Sequence, residues 1–144
     1  MNRISVIVHN WNGEELLGVC LKALLKQTYP NYEVICVDNG SKDASVVLAK
    51  RNFPEVRIIE LDENKGFTGG NAAGLQVATG EYIALVNNDT RADPGWLENL
   101  ARPMRNDSKV GICASQLLIE GDGRIYSAGD GVTTAGVGFS RGFR

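Results

Sequence analysis

The sequence predicts an α/β fold, a mostly parallel sheet flanked by helices with a short antiparallel hairpin near the C-terminus. Three observations carry this. Short β-branched runs alternate four times with stretches of helical periodicity, the signature of βαβ units and right-handed crossovers. The runs Ile4 to Val8 and Glu33 to Val37 are almost continuously apolar, as strands buried on both faces are. Polar clusters then close three of the runs, at His9-Asn-Trp-Asn12, Asp38-Asn-Gly-Ser41 and Asn87-Asn-Asp89. Ligands of an open parallel sheet bind beyond the carboxyl ends of its strands, near the point where strand order reverses. Three polar strand ends therefore point to one composite site.

Each element has its own reason. Ile4 to Val8 is the first strand. From Gly13 to Lys26, Leu16, Leu17, Cys20, Leu21, Leu24 and Leu25 recur at helical spacing, with Asn12 as the expected N-cap and Glu14 and Glu15 in the first turn. Tyr29-Pro30-Asn31 is a turn before the second strand, Glu33 to Asp38. Asn39-Gly40 breaks that strand, and Ser41 or Asp43 caps a helix to about Asn52. Val56 to Leu61 is the third strand. A glycine-rich loop, Asn64 to Gly70, leads into a helix from Asn71 to Ala78, stopped by Thr79-Gly80.

Glu81 to Asp89 is the fourth strand with its polar end. Asp93-Pro94 places a cap before a first-turn proline, so a further helix runs to about Arg105. Its stripe of Trp96, Leu97, Leu100 and Met104 reads as core packing. Val110 to Ile119 reads as another strand, followed by a turn at Gly121-Asp-Gly123 and a return strand around Ile125. Residues 129–144 hold five glycines and little periodic pattern, too little apolar surface for a core of their own. The expected organisation is a core over residues 1–128 and a glycine-rich tail over 129–144.

At 144 residues the chain fits one domain, able to bury roughly 70% of its unfolded surface. Its 43% hydrophobic and 22% charged content is that of an ordinary globular protein. A net charge of −2 gives no basic face for nucleic acid. No apolar run is long enough for a transmembrane helix, and Met1-Asn-Arg3 leads straight into a strand without the apolar core of a signal peptide. Cys20, Cys36 and Cys113 are odd in number and irregularly spaced, which fits reduced packing thiols in the cytosol.

The site candidates each carry two readings. Asp89 is either a turn residue after a strand or a ligand for a divalent cation that draws the rest of its shell from phosphates and water. Asn87 and Asn88 suit ribose hydroxyls or phosphate oxygens. Asp38 is either an Asx-turn acceptor or the acceptor for the N3–H of uracil or thymine, a donor that adenine lacks. Trp11 is a half-buried aromatic or a stacking partner for that base. His9, the one histidine, is structural or touches the ligand. The Gly66-x-x-Gly69-Gly70 loop lets backbone approach a phosphate or sugar before a helix N-terminus. No G-x-G-x-x-G follows the first strand and no G-x-x-x-x-G-K-[ST] occurs, which argues against a nicotinamide dehydrogenase or a P-loop NTPase.

Taken together these residues resemble the inverting family 2 glycosyltransferases of the Rossmann-like GT-A fold. The resemblance rests on Ile4 to Asn12, Val37 to Asp43, Asn64 to Asn71 and Ala78 to Asp89, in order and at family-like spacing. It implies that Asp38 holds a pyrimidine base, and that Asn87-Asn-Asp89 is the DxD-type element whose last aspartate binds Mg²⁺ or Mn²⁺ on the donor diphosphate. His9, Trp11, Asn64, Gly66, Gly70, Asn71, Asn87 and Asn88 complete the nucleotide-sugar site by that resemblance. Asn87 departs from the family's first aspartate. The combination of Asn10 to Asn12, Gly66 to Asn71 and Asn87 to Asp89 is most similar to the rhamnosyltransferase-like branch, which uses dTDP-rhamnose or related donors for bacterial surface polysaccharides.

The resemblance implies a UDP- or dTDP-sugar donor and a glycan or lipid-linked acceptor. The expected location is cytoplasmic, the inner face of the membrane included. The family's acceptor-activating aspartate lies further along than this sequence; Asp122 and Asp130 do not match it, and no residue is assigned as the base. The chain then reads as the donor-binding part of a longer protein, its tail leading to an acceptor and catalytic half. A non-catalytic nucleotide-sugar-binding module serving a partner chain is the alternative.

Overall fold

The computed structural model describes residues 1–132, 134 and 138–141. Two compact units result, Met1–Leu97 and Glu98–Arg144, so the division falls earlier than the expected break after residue 128.

The first unit holds strands β1 (Ile4–Asn10), β2 (Tyr32–Asp38), β3 (Arg57–Glu60) and β4 (Tyr82–Asn87), with helices α1 (Leu17–Leu24), α2 (Ser45–Asn52) and α3 (Gly66–Val77) between them. All strands are parallel, in the order β3-β2-β1-β4. The chain steps from β1 outward to β3, then returns through α3 to the other side of β1. Right-handed crossovers place α1 and α2 on one face and α3 on the other.

β1 is buried along nearly its whole length, as its unbroken apolar run requires. Ile7, Ile35 and Val37 form a core cluster flanked by Ile59, Leu61, Ala73, Val77 and Ala78. α1 buries Leu17, Cys20, Leu21 and Leu24. On β4 only Ala84 and Val86 are buried, while Ile83 and Leu85 stay exposed. That alternation is what a strand with one covered face shows.

Two elements differ from expectation. Residues 66–70, expected as a loop, are the opening turns of α3. Glycine is a poor helix former, but here it serves contact: a Cβ on Gly74 would lie 2.5 Å from the Ile7 side chain, and one on Gly70 would lie 2.5 Å from the His9 ring. Close packing on the sheet outweighs propensity. Asn12 does not cap α1; it adopts φ 49°, and its Oδ1 accepts the Lys42 backbone N–H at 2.8 Å. α1 begins later, at Leu17, with no side-chain cap.

Helix α4 (Trp96–Asn106) spans the division between the units. Asp93 Oδ1 accepts the Gly95 N–H at 2.8 Å ahead of it. Of its expected stripe Leu97 is fully buried, and Trp96, Leu100 and Met104 are half-buried. In the second unit β5 (Leu117–Leu118) pairs antiparallel with β6 (Ile125–Ser127), around a turn that uses positive φ at Gly121 and Gly123. The strand expected from Val110 to Ile119 shrinks to those two residues; Ile112, in its middle, is 90% exposed and has no covering surface. β7 (Asp130–Val132) and β8 (Gly138–Ser140) form a second antiparallel pair within the stretch read as a tail. Gly136 and Gly142 of that stretch lie outside the described residues. Among the described residues no helix is long and apolar enough to cross a membrane.

Candidate functional site

Parallel register brings the polar strand ends side by side. Asn10 of β1 pairs with Asp38 of β2, and His9 pairs with Asn87 of β4. Strand order reverses about β1, so these ends occupy the switch point.

Asn10, fully buried, joins the ends. Its Nδ2 donates to Asp38 Oδ1 at 2.9 Å and Ser45 Oγ at 3.1 Å, and its Oδ1 accepts from Asn88 Nδ2 at 2.7 Å. Gly13 leaves room for that last bond, because a Cβ there would sit 2.1 Å from Asn88 Nδ2 and 2.3 Å from Asn10 Oδ1. Reciprocal bonds stitch the following loops: Asn12 N–H donates to Ser41 Oγ at 2.8 Å, and Glu14 N–H donates to Asp43 Oδ2 at 2.9 Å. Burial raises the Asp43 carboxyl, but hydrogen bonds from Ser45 and the Glu14 amide outweigh it and the net shift is down.

Asp38 is 4% exposed. Oδ1 accepts from Asn10 and from the Ser41 hydroxyl at 2.5 Å, and Oδ2 accepts the Ser41 N–H, three residues on, at 3.0 Å. A carboxylate offers about four acceptor directions, so one on Oδ2 is left for a ligand.

Asn39, also fully buried, serves the glycine segment. Its Oδ1 accepts the Lys65 N–H at 2.9 Å. That bond fixes the amide's orientation and turns Nδ2 toward Asn64 Oδ1 at 2.9 Å, Gly66 O at 3.1 Å and His9 Nε2 at 3.1 Å. His9 Nε2 must then be the bare nitrogen, with the proton on Nδ1. Burial holds the imidazole below its ordinary pKa against the opposing Asp38 charge, so His9 is neutral at neutral pH. Phe67 packs on its ring at a centroid distance of 5.4 Å.

Asn71, 6% exposed, donates to Phe67 O at 3.0 Å. Its Oδ1 is the one buried side-chain oxygen without a partner among the described residues. Such an orphan costs about 1–3 kcal/mol unless water or a ligand supplies a donor. Asn64 and Gly66 are exposed and Gly70 is buried against His9.

At the end of β4, Asn87 and Asp89 are exposed and Asn88 is half-buried. Trp11 is 52% exposed at the end of β1. Beneath them, Cys20 Sγ–H donates to Asn87 O at 3.6 Å. Burial, with help from Asp89, pushes its thiol up to about 12, and burial does the same for Cys36. Both are packing residues that stay protonated. A cleft of about 450 Å³ lined by Glu14, Glu15, Asp43 and their neighbours lies beside this ensemble; its acidic wall would repel a diphosphate.

Asn10, Asn39 and Gly13 are the contributors that sequence reasoning did not single out. The signal for Asn10 and Asn39 was a polar residue closing an apolar run; Gly13, needed for a close approach, had none.

A four-stranded parallel sheet with its polar residues gathered at the switch point is an open α/β architecture of the Rossmann-like kind. Residues 5–143 match the model of glycosyl transferase family 2, and the chain belongs to that family. It is 30% identical over 131 residues to the Escherichia coli K12 glycosyltransferase YibD, covering 88% of this chain and 38% of YibD. The chain thus spans about two-fifths of the length of YibD and of two further curated relatives, and about one seventh of others. Among crystal structures it resembles Staphylococcus aureus TarS, with TM-score 0.66, 26% identity and coverage of 72% of this chain and 20% of that one. It also resembles the mannosyltransferase PcManGT of Pyrobaculum calidifontis in complex with GDP-Man and Mn²⁺, with TM-score 0.58, 28% identity and coverage of 61% and 28%. The GT-A fold expected from the sequence is the fold observed.

Proposed function

We propose that this chain forms the donor site of an enzyme that moves a sugar from a UDP- or dTDP-sugar to an acceptor hydroxyl with inversion. The observation that supports it most is Asp89, an exposed carboxylate at the switch point beside strand ends that Asn10 links by hydrogen bonds. In the transfer, the bond from the anomeric carbon to the diphosphate oxygen breaks. A bond to the acceptor oxygen forms from the opposite face, and the acceptor proton leaves.

The donor set suits a Mg²⁺ or Mn²⁺ ion held mainly by its substrate. Among the described residues no three His, Cys, Asp or Glu side chains gather, so Asp89 would share the ion with diphosphate oxygens and water, as hard cations in nucleotide sites are commonly shared. Such an ion, when bound, offsets the negative charge that builds on the departing diphosphate. The Mn²⁺ in the mannosyltransferase complex supports this assignment.

The chain's own residues would do the rest. The spare acceptor direction on Asp38 takes the base's imide N–H, and Trp11 stacks on the ring. Asn87 and Asn88 meet ribose or phosphate oxygens, and the orphaned Asn71 Oδ1 accepts a donor hydroxyl. Neutral His9 and the Asn64–Gly70 segment hold the shape of the phosphate and sugar side. Deprotonation of the acceptor requires a general base, a role assigned to none of these residues. In the finer reading the sugar is rhamnose-like, and the acceptor is a glycan or lipid-linked precursor of a surface polysaccharide on the cytoplasmic side of the membrane.

Calorimetry of the chain with UDP, dTDP, GDP and ADP, each with and without Mn²⁺, tests the reading. Mn²⁺-dependent binding confined to UDP or dTDP is expected. Preference for GDP would overturn the pyrimidine assignment, and metal-independent binding would overturn the role of Asp89.

A further inference from the structure

We infer that Asn39 is a positioning residue for donor binding, acting through the Asn64–Gly66 segment that opens α3. This rests on the donor-site reading above. The segment is exposed throughout and buries nothing of its own. Apart from a local bond from Gly66 N–H to Asn64 Oδ1 and the backbone bonds of α3 itself, residues 64–66 are held by the one fully buried amide beneath them. Asn39 accepts from Lys65 N–H and donates toward Asn64 Oδ1 and Gly66 O, all within 3.1 Å. Two hydrogens on Nδ2 serve three acceptors, His9 Nε2 being the third, so one hydrogen is shared.

A second observation, independent of these bonds, places the same segment. Gly40 has φ +75°, and a Cβ there would lie 2.7 Å from the carbonyl carbon of Glu63 and 2.9 Å from the Asn64 nitrogen. The backbone of the segment therefore rests directly on the bare Cα of Gly40. The dipeptide Asn39-Gly40 reads in the sequence as an ordinary turn. In the fold it holds the segment from below with an amide and abuts it with a missing side chain.

The consequence lies at the start of α3. The N-cap residue Lys65 makes no side-chain bond to this helix, and Gly66 N–H is taken by Asn64 Oδ1; the N–H groups that follow in the first turn are at a helix start, where an anionic group is favoured. Their direction is set by residues 64–66. If the amide beneath is lost, the ligand must order the segment itself, and that ordering cost appears as weaker binding.

The test uses the 144-residue chain with UDP and Mn²⁺ as probe, in wild type, Asn39→Ala and Gly40→Ala. Calorimetry is run well below the unfolding transition, alongside amide hydrogen exchange at Lys65, Gly66, Ile7 and Val37. In Asn39→Ala, Lys65 and Gly66 should exchange about ten-fold faster or more while Ile7 and Val37 keep their protection, and the Kd for UDP should rise roughly ten-fold. Should Asn39→Ala fail to fold, Gly40→Ala decides, since it displaces the same segment without opening a cavity in the core. Unchanged protection at Lys65 overturns the inference, and so does a loosened segment with unchanged UDP affinity, because that is a purely structural role. A wild-type chain that ignores UDP with Mn²⁺ overturns the donor reading itself, and the inference falls with it.

Discussion

Glu33 at the amino end of β2 and Asp89 at the carboxyl end of β4 are carboxylates of one sheet, and the fold treats them oppositely. Glu33 Oε1 accepts from Ser5 Oγ at 2.6 Å, Thr79 N–H at 2.9 Å and Thr79 Oγ1 at 2.6 Å, while Arg3 stands 3.5 Å from Oε2. A Cβ on Gly80 would lie 2.4 Å from the Ser5 nitrogen, so the chain closes tightly over this end. Asp89 is exposed and accepts only a long 3.4 Å bond from the neighbouring Thr90 hydroxyl among the described residues. Around it the strand ends are joined by carboxamides, which hold each other in place without charge. One end spends its carboxylate on holding the fold together; the other keeps its carboxylate available.

The sharpest way to break this comparison is Asp89→Ala. An exposed turn residue of this kind changes stability by about 0.5 kcal/mol or less. Mn²⁺-dependent nucleotide binding should be lost altogether in calorimetry, with the melting temperature nearly unmoved. Retained binding would place the cation elsewhere and remove the contrast between the ends.

Asn10→Ala tests whether the carboxamides are more than filler. It strips partners from Asp38, Ser45 and Asn88 at once. A loss of about 2–3 kcal/mol in urea unfolding is expected, together with weaker UDP binding, since Asp38 and Asn88 both lose their alignment. A loss in stability alone would make Asn10 equivalent to the groups around Glu33.

The legible parts of the molecule were those where one physical signal dominates. Ile4 to Val8 and Glu33 to Val37 read as doubly buried strands because nothing but a parallel sheet accommodates such runs, and β1 and β2 sit there. The polar strand ends were legible for the same reason, as breaks in an apolar pattern. Local propensity misled at residues 66–70, where glycines look like a loop until the close approach of His9 and Ile7 is known. It misled at Asn12 as well, a good cap residue taken instead by Lys42 of a neighbouring loop. Asn10 and Asn39 were legible only as members of those polar clusters, because an asparagine at a strand end looks the same whether it faces water or links neighbouring elements. The strand expected over Val110 to Ile119 survives only at Leu117–Leu118, where β6 supplies a partner edge.

The smallest effect belongs to the amino end. Burial alone would raise the Glu33 pKa, but the hydrogen bonds from Ser5 and Thr79, with Arg3 nearby, outweigh it and hold the carboxyl below its ordinary 4.5. A group depressed in the folded state binds its proton first in the unfolded chain. Its contribution is therefore complete well above pH 4.5, and it drains away as pH falls through the lower folded value. Glu33→Gln should cost about 1 kcal/mol at about pH 7, and the gap from wild type should narrow as pH falls through the lowered folded value. UDP affinity should be the same in both proteins at neutral pH, because the substitution sits at the opposite end of the sheet from Asp89. A pH-independent gap would mean that Glu33 acts by packing rather than by charge. A fall in UDP affinity would mean that the two ends are coupled through β1, and the division of labour between them would have to be given up.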